Sequence, residues 1–249
     1  MKTYNILVAI PVFNETDVRS VVLGIKNFPL DILVIDDGSN NGLKEKLSDI
    51  GYTYLITHPR NLGYGKALID AFTFGIRNRY DYIITIDGDG QHEPEEIQLF
   101  LNEIPFSDCD ILSGSRYLLK RAFHEGIPPE RYRINRRITY LINSITGFNL
   151  TDAFCGFKAY KVEKLKLLRL TEYGYGMPLQ LWIQAWRRGL RVRETPVKLI
   201  YKDATRQFGG MLNDPEARLR YYNDAIEDEL MRSEQNGISM RKVRQTVGY

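Results

Sequence analysis

An α/β fold with a mostly parallel central sheet flanked by helices is the architecture that this 249-residue chain predicts. Two observations predict it. Short, apolar, β-prone runs alternate with stretches of helical period through the first half. Two of those runs also stop abruptly in acidic turns, Asp36-Asp37-Gly38 and Asp87-Gly88-Asp89. Strand, turn and helix in repeating order imply βαβ units, which put helices on both faces of a parallel sheet. In such sheets ligands bind beyond the carboxyl ends of the strands, so both acidic turns are expected on one edge.

The elements follow in order. Ile6–Ile10 is the first strand, and Val18–Phe28 has helical spacing. Ile32–Ile35 is the second strand and Tyr52–Thr57 the third. Apolar residues at 68, 69, 72 and 76 predict a helix over Lys66–Ile76. Tyr82–Ile86 is a fourth strand, and Pro94 opens a helix with Glu95 and Glu96 in the first turn, where acids suit the dipole. Ile111–Ser113 reads as a fifth strand. Beyond it come a basic loop over Gly114–Pro129, helices over Tyr132–Ile145 and Pro178–Trp186, a strand over Val192–Ile200 and a polar, glycine-bearing loop over Lys202–Asn213. A charged helix then runs from Asp214-Pro215-Glu216 to about Ser233, with Leu219, Tyr222, Ile226 and Leu230 free to pack on its own domain or on a partner. With no repeat or linker in view, the expected organisation is one domain over 1–210 and a helical extension over 211–249, packed on it or on a partner.

Composition narrows the class. Lys and Arg exceed Asp and Glu by 34 to 31, a balance too even for a dedicated nucleic-acid binder. Cys109 and Cys155 are the only cysteines, which excludes a disulfide scaffold and suits a reduced, cytoplasmic setting. No run approaches the roughly 18 apolar residues of a membrane span, so any contact with the inner membrane face is expected to be peripheral.

Several clusters could carry chemistry. In Asp87-Gly88-Asp89-Gly90-Gln91, two carboxylates and an amide oxygen at alternate positions can face one hard cation, Mg²⁺ or Mn²⁺. The plain alternative is an acidic turn before the helix at Pro94. An EF-hand is ruled out, since His92 and Gln98 stand where its Gly and Glu belong. Asp36-Asp37-Gly38-Ser39 could meet a base or ribose, or simply cap a turn. In Pro11-Val12-Phe13-Asn14-Glu15, Phe13 could lie on a flat ring, while Asn14 could equally cap a helix. Asn61-Leu62-Gly63-Tyr64-Gly65-Lys66 lacks the third glycine of a dinucleotide fingerprint and reads as a tight turn bringing a helix N-terminus to a phosphate. Arg116, Arg121, Arg131, Arg133, Arg136 and Arg137, interleaved with Tyr117 and Tyr132, could bind phosphate or form a solvated basic face. Asp152 is a candidate base or a cap.

In this order and spacing the blocks resemble family 2 of the inverting nucleotide-sugar glycosyltransferases, with its GT-A-type, Rossmann-like fold. The carrying motifs are Pro11–Glu15, Asp36–Ser39, Asn61-Leu62-Gly63, Asp87–Gln91, Gly114-Ser115-Arg116-Tyr117 and Cys155-Gly156-Phe157-Lys158-Ala159-Tyr160. The likeness runs from Ile6 to about Gly210 and is greatest to enzymes that load mannose or glucose onto polyprenyl or dolichyl phosphate. It implies that Pro11, Phe13 and Glu15 line the nucleoside pocket, with Asp36 or Asp37 near the base. Asp87 would touch the ribose or the metal beside Gly88, with Asp89 and Gln91 on the metal and the donor diphosphate. Arg116 would face the acceptor or donor phosphates; from the basic cluster itself, Arg133 and Arg136 are the further candidates for the acceptor phosphate. Asp152 matches the base of relatives with hydroxyl acceptors, and Arg206 would close over the diphosphate. The implied partners are a nucleotide diphosphate sugar such as GDP-mannose or UDP-glucose and a lipid phosphate at the membrane surface, with oligomerisation open. Hydroxyl transfer with Asp152 as base, nucleotidyl transfer and a non-catalytic nucleotide-sugar binding module are the alternatives. Cys155 departs from the family's usual Ser, and Gly174–Pro178 lacks an acid often found there.

Overall fold

A computed structural model of the protein describes residues 4–50, 54–118, 127–200 and 209–234. Its seven strands are β1 (Ile6–Val12), β2 (Asp31–Asp36), β3 (Tyr54–Thr57), β4 (Tyr82–Thr85), β5 (Ile111–Ser115), β6 (Lys158–Lys161) and β7 (Val192–Pro196). The helices are α1 (Val18–Ile25), α2 (Leu43–Leu47), α3 (Tyr64–Arg77), α4 (Ile97–Glu103), α5 (Pro129–Thr146), α6 (Val162–Leu165), α7 (Met177–Arg187) and α8 (Pro215–Glu234).

The strands form one sheet in the order β3-β2-β1-β4-β6-β5-β7, parallel except for β6. The parallel half follows from composition. All seven residues of β1 are buried, because a parallel strand covered on both faces reads as a continuous apolar run. Its side chains alternate between two cores. Leu7 and Ala9 join Leu33, Ile35, Leu68 and Trp182 on one face, while Val8, Ile10 and Val12 join Val22, Val34 and Phe100 on the other. In α3, Leu68, Ala71, Phe72 and Gly75 are buried at helical spacing, giving one stripe against the sheet.

Strand β6 was not among the expected elements. Its sequence, Lys-Ala-Tyr-Lys, carries charge at both ends, and only Ala159 and Tyr160 supply apolar surface. It runs antiparallel between β4 and β5, pairing Lys158 with Thr85 and with Ser113. This reversal brings the start of β6 to the carboxyl ends of its neighbours, and so carries residues 151–157 to the ligand edge. Strand β7 ends at Pro196, four residues short of the expected Ile200, and α1 ends at Ile25 rather than Phe28.

Helix α8 packs on its own chain. Tyr222, Ile226 and Leu230, one per turn, are buried in the core that contains α7. Gln180 on α7 donates to Glu229 Oε2 at 2.7 Å, and Arg187 donates to the Glu229 carbonyl at 2.8 Å. No described helix is long and apolar enough to cross a membrane.

Candidate active site

The site is built at the carboxyl edge, where the ends of β1, β2, β4 and β5 meet the segment leading into β6. After β1 the chain turns through Asn14, whose φ of 57° is a left-handed value that Asn tolerates. The Asn14 backbone N–H donates to Ser39 Oγ and its side chain accepts from the Asn40 N–H, both at 2.9 Å. The Asn41 amide donates to the Glu15 carbonyl at 3.1 Å. These bonds lace the loop after β1 to the loop after β2 and leave the ring of Phe13 44% exposed.

The paired aspartates after β2 have different surroundings. Asp36 accepts the Ser39 N–H at 2.8 Å through one oxygen; among the described residues its second oxygen takes no bond. Asp37 is enclosed. Its two oxygens accept the Leu62 and Gly63 N–H groups at 2.8 Å each, and His58 Nδ1 lies 2.6 Å away. His58 Nε2 reaches Asp70, which also binds Lys66. Asp37 therefore caps the start of α3 from outside the helix. The Lys66 N–H is taken by the Tyr173 carbonyl at 3.1 Å. At this helix end, where a phosphate approach is expected, Asp37 takes the Leu62 and Gly63 N–H groups and the Tyr173 carbonyl takes that of Lys66.

After β4, Asp87 accepts the Tyr64 hydroxyl at 3.1 Å, and its other oxygen packs on Gly156. A Cβ at Gly156 would lie 2.2 Å from Asp87 Oδ2, so any larger residue there would displace the Asp87 carboxylate. Burial, followed by the neighbouring Asp87, pushes the Tyr64 hydroxyl well above its ordinary range and keeps it a donor. Asp89 accepts the Gln91 N–H at 3.0 Å, closing a tight turn. The Gln91 carbonyl in turn accepts the Ile200 N–H at 2.8 Å. His92, fully enclosed, has Nδ1 3.2 Å from the Lys198 carbonyl. Burial drives its pKa down to about 4, so the ring is neutral at pH 7.

The second half of the site is an ion pair. Asp152 is completely buried. Arg116 grips it bidentately, Nε to Oδ2 at 2.6 Å and Nη2 to Oδ1 at 2.9 Å. Asn135 on α5 adds a bond at 2.8 Å, and the Phe154 N–H adds one at 3.2 Å. Burial alone would raise the Asp152 pKa, but the Arg116 charge and these hydrogen bonds outweigh it and hold the carboxyl at about 2. The loop beneath is fixed by Glu194 of β7, which accepts the Thr151 N–H and hydroxyl at 2.8 and 2.7 Å and the Asp152 N–H at 3.0 Å. Lys158, buried behind it, donates to the Cys155 carbonyl and lies 5.4 Å over the Trp182 ring. Burial raises the Cys155 thiol to about 12, so this cysteine is inert packing.

The predicted residues are thus partly gathered. Pro11, Phe13, Glu15, Asp36, Asp37, Asp87, Gly88, Asp89 and Gln91 stand on adjacent strand ends, with Arg116 and Asp152 on the far side of β4. Arg133 and Arg136 do not converge with them. They project from the exposed face of α5, while Asn135 turns inward to Asp152. Arg206 and Arg121 lie outside the described residues. Sequence reasoning missed Tyr64, His92, Asn135, Lys158 and Glu194. For Tyr64 and Lys158 a signal existed, since both sit inside motifs already singled out.

Among the described residues no three His, Cys, Asp or Glu side chains gather into a metal site on their own. The donor set at Asp87, Asp89 and Gln91 nevertheless fits Mg²⁺ or Mn²⁺. All of its groups are hard oxygen donors, and Mg²⁺ is commonly held by one or two carboxylates with substrate phosphates filling the remaining positions.

A mostly parallel sheet with one reversed strand, flanked by helices and carrying an acidic turn at its carboxyl edge, is the architecture of a GT-A-type fold. Consistent with this, residues 7–168 match the model of glycosyl transferase family 2, and the chain belongs to that family as a nucleotide-sugar-dependent glycosyltransferase. It is 25% identical over 240 residues to the undecaprenyl-phosphate mannosyltransferase of Micrococcus luteus, covering 92% of this chain and 98% of that one. It is 27% identical over 206 residues to the polyprenol monophosphomannose synthase of Mycolicibacterium smegmatis, covering 78% and 77%. Among solved structures, it superposes on glucosyl-3-phosphoglycerate synthase from Mycobacterium tuberculosis, solved with Mg²⁺ and UDP, with a TM-score of 0.63 at 16% identity, covering 96% and 81%.

Proposed function

We propose that the protein transfers a hexose, mannose or glucose, from a nucleotide diphosphate sugar to a polyprenyl or dolichyl phosphate, with inversion at the anomeric carbon. The observation that carries the choice of acceptor is the state of Asp152. A hydroxyl acceptor needs a general base with an accessible carboxylate. Asp152 is buried, accepts five hydrogen bonds from Arg116, Asn135 and Phe154 and has a pKa of about 2, which makes it the counter-ion of Arg116 rather than a proton acceptor. A phosphate monoester, with a second pKa near about 6, is already a nucleophile at pH 7 and needs only positioning. The names of the two polyprenyl-phosphate relatives point the same way.

In this reading the rim formed by Pro11, Phe13, Glu15 and Asp36 receives the nucleoside. Asp37 holds the floor of that rim through Leu62 and Gly63. Asp87, Asp89 and Gln91 would hold Mg²⁺ or Mn²⁺, which supplies positive charge opposite the donor diphosphate. Arg116 uses Nε and Nη2 on Asp152, and its Nη1, without a partner among the described residues, is left for the acceptor phosphate. An acceptor oxygen forms the bond to the anomeric carbon from the face opposite the diphosphate. The bond from that carbon to the leaving oxygen breaks, and its electron pair departs on the nucleoside diphosphate. No proton has to move.

The test is incubation with GDP-mannose or UDP-glucose, Mn²⁺ and either undecaprenyl phosphate or 3-phosphoglycerate. A lipid-linked sugar phosphate formed with release of nucleoside diphosphate is the expected result. Transfer to the glycerate hydroxyl alone would reinstate Asp152 as base and overturn the choice of acceptor.

A further inference from the structure

We propose that the outward face of α5 is a docking surface for an anionic phospholipid bilayer. This deepens the reading above and rests on it, because it names the surface by which the site meets an acceptor anchored in a membrane.

Arg133, Arg136, Arg137 and Tyr140 follow the i, i+3, i+4, i+7 spacing that places residues on one stripe of a helix. All four are exposed, Tyr140 by 74%. The opposite stripe, Asn135, Ile138, Thr139 and Ile142, is buried. The outer stripe contains no acid. Glu130, the one acidic residue in α5, is paired with Arg218 of α8. Among the described residues no carboxylate faces the three outer guanidinium groups. Arg133 Nε donates to the Pro129 carbonyl at 3.3 Å, and Arg136 lies 5.8 Å over the Tyr132 ring.

Charge complementarity selects the occupant. Guanidinium forks bind phosphate bidentately, and an exposed tyrosine suits the headgroup layer, where one end of the ring is apolar and the other wet. Position supports the same choice. The inner face of α5 supplies Asn135, 2.8 Å from Asp152, so docking the outer face brings Arg116 and Asp152 within about one helix diameter, 10–12 Å, of the headgroups. A net charge of only +3 is too even for a dedicated nucleic-acid binder.

The test is co-sedimentation of the full chain with phosphatidylcholine vesicles, with and without phosphatidylglycerol and free of prenyl lipid. Binding is expected only with phosphatidylglycerol and is expected to weaken at high salt. The triple variant Arg133→Gln, Arg136→Gln, Arg137→Gln should partition about a hundredfold less, at about fivefold per charge, with an unchanged melting curve. The control Lys166→Gln, Arg169→Gln, exposed elsewhere, should bind as the wild type does. The proposal is overturned if the triple variant binds normally, if substitution of Arg241, Lys242 and Arg244 alone abolishes binding, or if the protein ignores the vesicles but retains tRNA through α5. Transfer by the wild-type protein to a short, water-soluble prenyl phosphate without vesicles is measured separately. Its failure refutes the function and leaves the vesicle result standing, whereas normal transfer without vesicle binding refutes only the docking surface.

Discussion

The turn at 87–91 and the loop at 151–156 both bring aspartate to the carboxyl edge, yet they treat it differently. Asp87 accepts the Tyr64 hydroxyl and Asp89 the Gln91 N–H, and both carboxylates remain partly accessible. Asp152 is sealed and bonded on every side by Arg116, Asn135 and Phe154. An open carboxylate can serve a cation or a ligand, whereas a wrapped one serves its partner. In the proposed function this contrast gives charge handling to the first region and the positioning of Arg116 to the second.

The largest expected effect tests the open side. Asp89→Asn should lower the transfer rate by roughly a thousandfold or more, because charge opposite the leaving diphosphate contributes several kcal/mol to the transition state. Its melting temperature should stay near that of the wild type. Steady-state kinetics with near-normal turnover would end the assignment. Asp152→Asn tests the wrapped side. Removing one partner of a buried pair leaves Arg116 uncompensated, and the loss should be about 3–5 kcal/mol in a urea titration. Turnover by the folded fraction should drop only about tenfold through misplacement of Arg116. A rate loss of many thousandfold in folded protein would instead mark Asp152 as a base.

His92, between the two regions, sharpens the comparison through pH. Its folded pKa of about 4 lies below the ordinary 6.5, so it stabilises the fold above pH 6.5 and the contribution disappears as the pH falls towards 4. The unfolding free energy should fall by roughly 3 kcal/mol across that window. His92→Gln should flatten the slope, and a wild-type profile flat between pH 6.5 and 4 would contradict the burial argument. The smallest effect separates the neighbouring aspartates after β2. Asp36→Asn should raise the donor KM by about tenfold with little change in stability, a loss the size of one charge-assisted hydrogen bond. Asp37→Asn should instead cost about 2 kcal/mol of stability, since it caps α3 and pairs with His58.

The sequence made the parallel half legible because strands buried on both faces leave unbroken apolar runs, as in Ile6–Val12 and Ile32–Ile35. Strand β6 gave no such signal. Its flanking lysines hide it, and Lys158 is buried only because a carbonyl and the Trp182 ring receive it. The acidic turns and Arg116 were legible as motifs. The difference between Asp36 and Asp37 was not, since adjacent aspartates look alike until His58, Leu62 and Gly63 arrive from other parts of the chain. The Arg116–Asp152 pair was equally hidden. Its members are 36 residues apart and were read separately as a phosphate ligand and a base, and only the antiparallel insertion of β6 brings them together. Arg133 and Arg136 were read as members of a basic cluster, and clustering of charge by itself does not tell the inner face of a helix from the outer.

The most direct measurement is a crystal structure with Mn²⁺ and a nucleotide sugar, the ion located by its anomalous signal. The ion is expected on Asp89 with the diphosphate as its other ligand, the base over Phe13 and the Arg116–Asp152 pair intact. An ion bound elsewhere, or a diphosphate seated without contact to the 87–91 turn, would contradict it.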